Sequence, residues 1–338
     1  MLSDLNDFQD IITPDDGSAD WFEARALARE FEATLDEADR HRERTSGLWL
    51  AAEWFALIGI TYGIVYGIHS VWLKVTLLIP WSLYSSFALD NITHYANHWP
   101  LFRTDIANRL WRYSGVLVFF NPLEIGINHN DHHRAYSRAD NNEQIFSSED
   151  RGRSFLSYLI SNTFDGIQVL FPLRPVEPCV TALGRRRPDQ LREIVALRWS
   201  FLGWAAILSA ISPQDTLLFF FPSVILIGAF ASLSMNLTDH IPGDSRHPFR
   251  LATWDEPETA IAALASVVNH QTCATHLTHH LFPRIHWIHL RKLQNYLSPI
   301  YVRQNAPKSL IVNSSLLGNP IRLALVLKQI ALHRFDGL

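Results

Sequence analysis

The chain is short of cysteine, with only Cys179 and Cys273 among its 338 residues. Two thiols supply no disulfide framework and cannot ligate an iron–sulfur cluster. Charge is scarce too: 18% of residues are Asp, Glu, Lys or Arg against 48% apolar, a balance poor for a water-soluble chain. The first twenty residues are acidic and polar and lack the basic start of a cleavable signal peptide, so the first apolar segment is expected to direct insertion into a membrane. Internal repeats, low-complexity tracts and heptad seams are missing, and no nucleic-acid partner is expected.

The apolar residues gather in four stretches, at 48–68, 71–93, 194–211 and 216–235. Each is about 20 residues long, enough helix at roughly 1.5 Å per residue to cross a hydrocarbon core about 30 Å thick. Buried helices of a large soluble protein are the alternative, chiefly for the third stretch, which contains Arg198. Links of two residues, His69 and Ser70, and of four, 212–215, make each pair a hairpin. The pattern predicts an all-α integral membrane protein with four transmembrane helices in two hairpins and a cytosolic helical cap. Eleven arginines lie between Ile92 and Gln190 and none at the hairpin tips, which puts both termini and the central segment in the cytosol.

Three regions follow: a cytosolic amphipathic segment at 1–47, a membrane domain at 48–300 and a cytosolic tail at 301–338. Trp21, Phe22, Leu27, Phe31 and Leu35 recur at helical spacing in the first. Segments 111–127 and 155–171 are apolar but too broken to span, and are expected to lie in or dip into the interface. The run Arg185, Arg186 and Arg187 suits a cytosolic anchor before the third span, or a phosphate contact.

Sixteen histidines are many for this length. His94 and His98 are four apart. His129, His132 and His133 form HNDHH, and His276, His279 and His280 form HLTHH. Positions i, i+3 and i+4 share a helix face, so each group can aim its imidazoles at a common centre. Any one HxxxH arises by chance, whereas two HxxHH groups plus an HxxxH are a strong metal signal. Eight or nine imidazoles without cysteine exceed the four ligands of structural zinc and divide into two sites; imidazole suits iron, copper, nickel or zinc, so ligand type leaves the metal open, and two irons are the preferred reading. Asp90, one turn before His94, is a candidate acceptor for a ligand's second N–H.

HYANH, HNDHH and HLTHHLFPRI together resemble the membrane fatty acid desaturases, a likeness covering the layout from the first span to about Leu290. The resemblance implies two irons held by His94, His98, His129, His132, His133, His276, His279 and His280. It adds His240 as a ninth ligand and Asn236 as one acting through water, from the NLTDH segment. It also implies dioxygen as cosubstrate and a separate electron donor of ferredoxin, rubredoxin or cytochrome b5 type, no fused cytochrome b5 domain being visible. The expected substrate is an acyl chain on coenzyme A, acyl carrier protein or phospholipid, in a bacterial inner membrane or the endoplasmic reticulum. The first box differs from some acyl-CoA desaturases in having three intervening residues rather than four, and the third begins with His where front-end desaturases have Gln. A hydroxylase of the same architecture, acting on a hydrocarbon, carotenoid or specialised metabolite, is the alternative enzyme. A membrane metal transporter fits less well, because its ligands belong near mid-membrane.

Overall fold

A computed structural model describes residues 18–135, 187–234, 247–256, 260–268, 270 and 272–308. Asn236, His240, segment 155–171, Arg185, Arg186 and the tail beyond 308 lie outside the described residues. Every regular element among the described residues is helical, apart from an isolated bridge between Trp254 and Lys308. The chain divides into two compact units, one built on 47–131 with the described part of 160–233, the other on the described parts of 3–46, 132–159 and 234–338.

In the first unit, α2 (Glu37–Tyr62, its opening residues counted with the second unit) continues through a π-helical turn, Gly63–Gly67. Ser70 then caps α3 (Val71–His98) by accepting from Leu73 N. After α4 (Asp105–Ser114) and a 3₁₀ turn (Gly115–Val118) comes α5 (Pro122–Ala135), whose residues from His132 onward belong to the second unit. The helix α6 (Pro188–Ile211) starts on a proline, which needs no N–H partner there. Only Ser212 separates it from a run that opens with Pro213–Asp215, passes through a π turn at Thr216–Phe220 and continues as α7 (Phe221–Ser234).

Among the described residues, three helical runs are long and apolar enough to cross a membrane: Glu37–Gly67, Pro188–Ile211 and Pro213–Ala231. Each starts earlier than its apolar stretch, because capping and Pro residues begin the helix before the hydrophobic part. The expected span at 71–93 is not among them. Its helix has 28 residues, but Lys74, Ser82, Ser85 and Ser86 dilute its apolar character. Those four are buried, whereas Val71, Trp72, Leu73, Val75, Leu77, Ile79 and Leu83 are exposed. These polar groups turn inward together with Leu78, Leu89 and Ile92, while the exposed face of the helix's first half is mostly apolar.

Most of the inward groups find partners within the unit, though the buried Ser85 Oγ has none among the described residues. Ser82 Oγ meets Ser223 Oγ at 3.0 Å, Trp81 Nε1 donates to Thr61 Oγ1 at 3.0 Å, and Trp204 Nε1 donates to Tyr62 OH at 2.6 Å. At the tips, Lys74 pairs with Asp215, which also accepts from Ser212 Oγ, and Tyr66 OH meets Thr216 Oγ1 at 3.0 Å. Tyr62, Tyr66, Phe119, Phe201, Phe219 and Phe220 fill the space between. In segment 111–127, expected to lie in or dip into the interface, Trp111, Val118, Phe119 and Phe120 are buried within the unit. Gly115 permits this turn, since a Cβ there would lie 2.2 Å from the Phe120 carbonyl oxygen.

The second unit holds α1 (Ala19–Ala33), capped by Ser18 Oγ accepting from Trp21 N, with α8 (Ala260–Val268), α9 (Thr272–Leu281) and α10 (Trp287–Arg303). Of the stripe expected in α1, Trp21 and Phe31 are buried, Leu27 and Leu35 partly so and Phe22 exposed; Ala24 and Ala28 join the buried face, against a core with Trp254, Leu277, Leu293, Ile300 and Tyr301. His286 and His289, which lie outside the paired spacings, tie α10 to the start of α2. His286 Nδ1 accepts from Ile288 N, its Nε2 meets Ser46 Oγ at 3.4 Å, and His289 Nε2 meets Glu43 Oε1 at 3.1 Å.

Two predictions follow from these contacts. Lys74→Ala strands the Asp215 carboxylate and should lower stability by about 3 kcal/mol, while Lys74→Met with Asp215→Leu should restore most of the loss, as thermal unfolding in detergent will measure. Burial, with His289 nearby, pushes His286 down to about 3, so the folded state refuses a proton that the unfolded chain accepts at 6.5. Stability is therefore full above that pH and declines as pH falls from 6.5 toward 3, by about 1.4 kcal/mol per unit. His286→Asn, which keeps a capping side chain, should flatten this slope; an unchanged slope would contradict the assignment.

Candidate metal centre

Helical spacing does what the sequence implies. On α3, His94 and His98 stand one turn apart; α5 carries His129, His132 and His133; α9 carries His276, His279 and His280. The His132 side chain lies outside what the structure describes; each of the other rings is held by backbone already hydrogen-bonded inside its helix, so it is aimed without loops.

In the first unit, His94, His98 and His129 each offer a nitrogen within 4.8 Å of the others. His98 Nε2 and His129 Nε2 face at 3.1 Å, and the His94 and His129 rings are 4.1 Å apart. Desolvation, then the neighbouring His129, holds His98 well below its ordinary range. It is therefore neutral at physiological pH, the state in which Nε2 can bind a metal. The approach of α3 and α5 depends on Gly126, where a Cβ would lie 2.0 Å from Asn97 Oδ1. Asn97 sits between His94 and His98, so a larger residue at 126 would have to displace the Asn97 side chain from this contact.

In the second unit, His133 Nε2 faces His279 Nε2 at 3.1 Å, and His276 Nε2 faces His280 Nε2 at 3.0 Å. The His133 and His280 rings stack at 4.5 Å. All four residues are buried to 3% exposure or less. Behind them, Thr278 turns the other way and hydrogen-bonds Gln294 and Tyr301 of α10, which fixes the rotation of α9.

The donor set fits a metal. Two nitrogens bound at right angles to one ion, each about 2.1 Å from it, stand about 3.0 Å apart, the separation of these pairs. Imidazole suits iron, copper, nickel or zinc. Asp90 lies half-buried one turn before His94 on α3.

Sequence reading missed several groups that hold these helices. Glu124, seen only as an interruption, is buried against Arg198 of α6. Glu193 of α6 accepts from Arg112 of α4 at 3.1 Å. Glu43 meets His289 across 246 positions of chain. Charged residues inside apolar stretches were the available signal, but their partners lie too far along the chain to be read.

Membrane-length apolar helices together with clustered, buried imidazoles define a class: an all-helical membrane protein with histidine groups suited to a metal such as iron. The chain belongs to the fatty acid desaturase family, whose model, described as "Fatty acid desaturase", matches residues 70–310. No curated protein and no solved structure shows significant similarity to it. The match takes in all three histidine groups, and the clustered imidazoles fit a desaturase-type oxidase.

Gly126→Ala should displace the Asn97 side chain beside His94 and His98 and weaken metal retention roughly tenfold, the scale on which groups supporting metal ligands act. Competition with a chelator measures it; wild-type retention would show that this close approach does not serve the metal.

Proposed function

We propose that the protein is a membrane desaturase that uses dioxygen to place a C=C bond in the acyl chain of coenzyme A, acyl carrier protein or a phospholipid. The observation that carries this reading is the set of facing Nε2 pairs at 3.0–3.1 Å in a chain of the desaturase family. His94, His98, His129, His132, His133, His276, His279 and His280 act as ligands to two irons, with His240 as a ninth and Asn236 acting through water. Asp90 orients an imidazole by accepting its second N–H. Bound there, two irons would supply the reductive activation of dioxygen that breaking an unactivated C–H bond requires.

The chain's own residues do the rest. Burial keeps the described imidazoles dry, and the helices fix which carbon pair can approach. Atoms and electrons balance when two hydrogens leave neighbouring carbons and one dioxygen, with two electrons and two protons from outside, becomes two waters. A separate ferredoxin, rubredoxin or cytochrome b5 type protein delivers the electrons.

The helix α3 serves as the fourth span, its exposed face being apolar and its polar groups internal. Two hairpins then set both termini, the N-terminal segment 1–47, the tail 301–338 and the histidine-bearing cap on the cytosolic side of a bacterial inner membrane or the endoplasmic reticulum.

Expression with a reductase and an electron carrier, followed by lipid analysis, should reveal products lacking two hydrogens; products that gain one oxygen instead would identify a hydroxylase. Since loss of a mere supporting group costs 10–100-fold, Ala at His129, His133, His276 or His280 should lower turnover about a hundredfold or more. Wild-type turnover in any of these variants would remove that residue from the ligand set.

A further inference from the structure

Arg198 lies in the interior of a membrane-length helix, Pro188–Ile211, where a charge is costly and any apolar residue would be tolerated. Its guanidinium forks onto one carboxylate. Nε donates to Glu124 Oε2 at 2.9 Å and Nη2 to Glu124 Oε1, with both side chains about one-tenth exposed. Asn121, at the start of α5, donates through Nδ2 to Glu124 Oε2 at 3.1 Å and accepts from Glu124 N through Oδ1 at 3.3 Å. Ile127 packs on Ile194, one turn before Arg198 on α6, with Leu123 and Leu191 beside them. The first turns of α5 are thus gripped by a bidentate ion pair, a side-chain cap and an apolar contact, all on α6 or at the helix's own start.

Five residues beyond Glu124 on the same helix stands His129. At 100° per residue the two side chains leave α5 roughly 140° apart, so one side of the helix holds Arg198 while another presents His129 to His94 and His98. A fork of two parallel hydrogen bonds resists both rotation and sliding, which a single ammonium contact does not. Small changes in either would move His129 Nε2 from its 3.1 Å approach to His98.

We propose that Arg198 is a positioning residue for the metal centre: its bidentate pair with Glu124 sets the rotation and register of α5 and so the place of His129 Nε2. This rests on the reading that these histidines hold metal. A purely structural pair would be replaceable by apolar residues, since exchanging both members of a buried ion pair is commonly neutral for stability.

The test uses full-length protein in detergent, stripped of metal and titrated with Co(II) against a chelator. In the double variant Glu124→Leu, Arg198→Met, the affinity should fall about tenfold or more and the Co(II) ligand-field spectrum should change, while the melting temperature of the metal-free protein stays near wild type. Arg198→Lys, which keeps charge but loses the fork, should fall between. Wild-type affinity and spectrum in the folded double variant would overturn the proposal. Should the double variant not fold, Glu124→Gln is judged by the same two readouts and the same criterion. A wild-type protein that binds neither Co(II) nor Fe(II) would instead overturn the reading of the histidines themselves.

Discussion

The structure is organised by the need to hold imidazole lone pairs face to face out of water. Two Nε2 lone pairs at 3.0–3.1 Å repel unless a proton or a cation lies between them, and burial removes the water that would otherwise intervene. Helices can enforce such an approach because their backbones are internally satisfied, so strain at the rings is not relieved by local unfolding. Each histidine helix is accordingly fixed at a second point: α3 and α5 meet at Asn97 and Gly126, and α9 is turned by Thr278 against Gln294 and Tyr301.

How far the sequence revealed this depends on the range of the interaction. The histidine groups were legible because i, i+3 and i+4 spacing is a property of one helix, needing no tertiary knowledge. Three of the membrane-length runs were legible from length and apolarity, and α1 from its stripe. The helix α3 shows where that reading weakens. Averaging hydropathy along a helix treats Lys74, Ser82, Ser85 and Ser86 as if they faced lipid, whereas they face inward and the large residues on the outward face are apolar. Window averages cannot separate faces; a face-by-face count could have. His286 and His289 show the opposite limit, since nothing local says that one caps a helix and the other meets Glu43.

Charged residues in the first unit share one logic. Lys74 with Asp215, Arg198 with Glu124, and Arg109 and Arg112 with Glu193 each couple helices distant in sequence. In a low-dielectric surrounding such pairs add little net stability over apolar packing, but a mispaired charge is severely unfavourable. They therefore discriminate between arrangements more than they strengthen any one. Helices with apolar faces could slide or rotate against one another at small cost; a carboxylate that must find one guanidinium cannot.

That distinction matters for the chemistry of this family. Removing a second hydrogen gives an alkene, whereas returning a hydroxyl to the first radical carbon gives an alcohol, so the outcome turns on small differences in where the reacting carbons stand. Apolar packing tolerates displacements of that size with little energetic consequence, because dispersion and burial vary gently along a greasy surface. Bidentate ion pairs and a glycine contact do not, since both have a steep dependence on distance and angle. The chain places such steep restraints on α5 at Glu124 and at Gly126, within five residues of His129. Specificity of outcome would then reside as much in how the histidine helices are pinned as in the metal ligands, which the two reactions have in common.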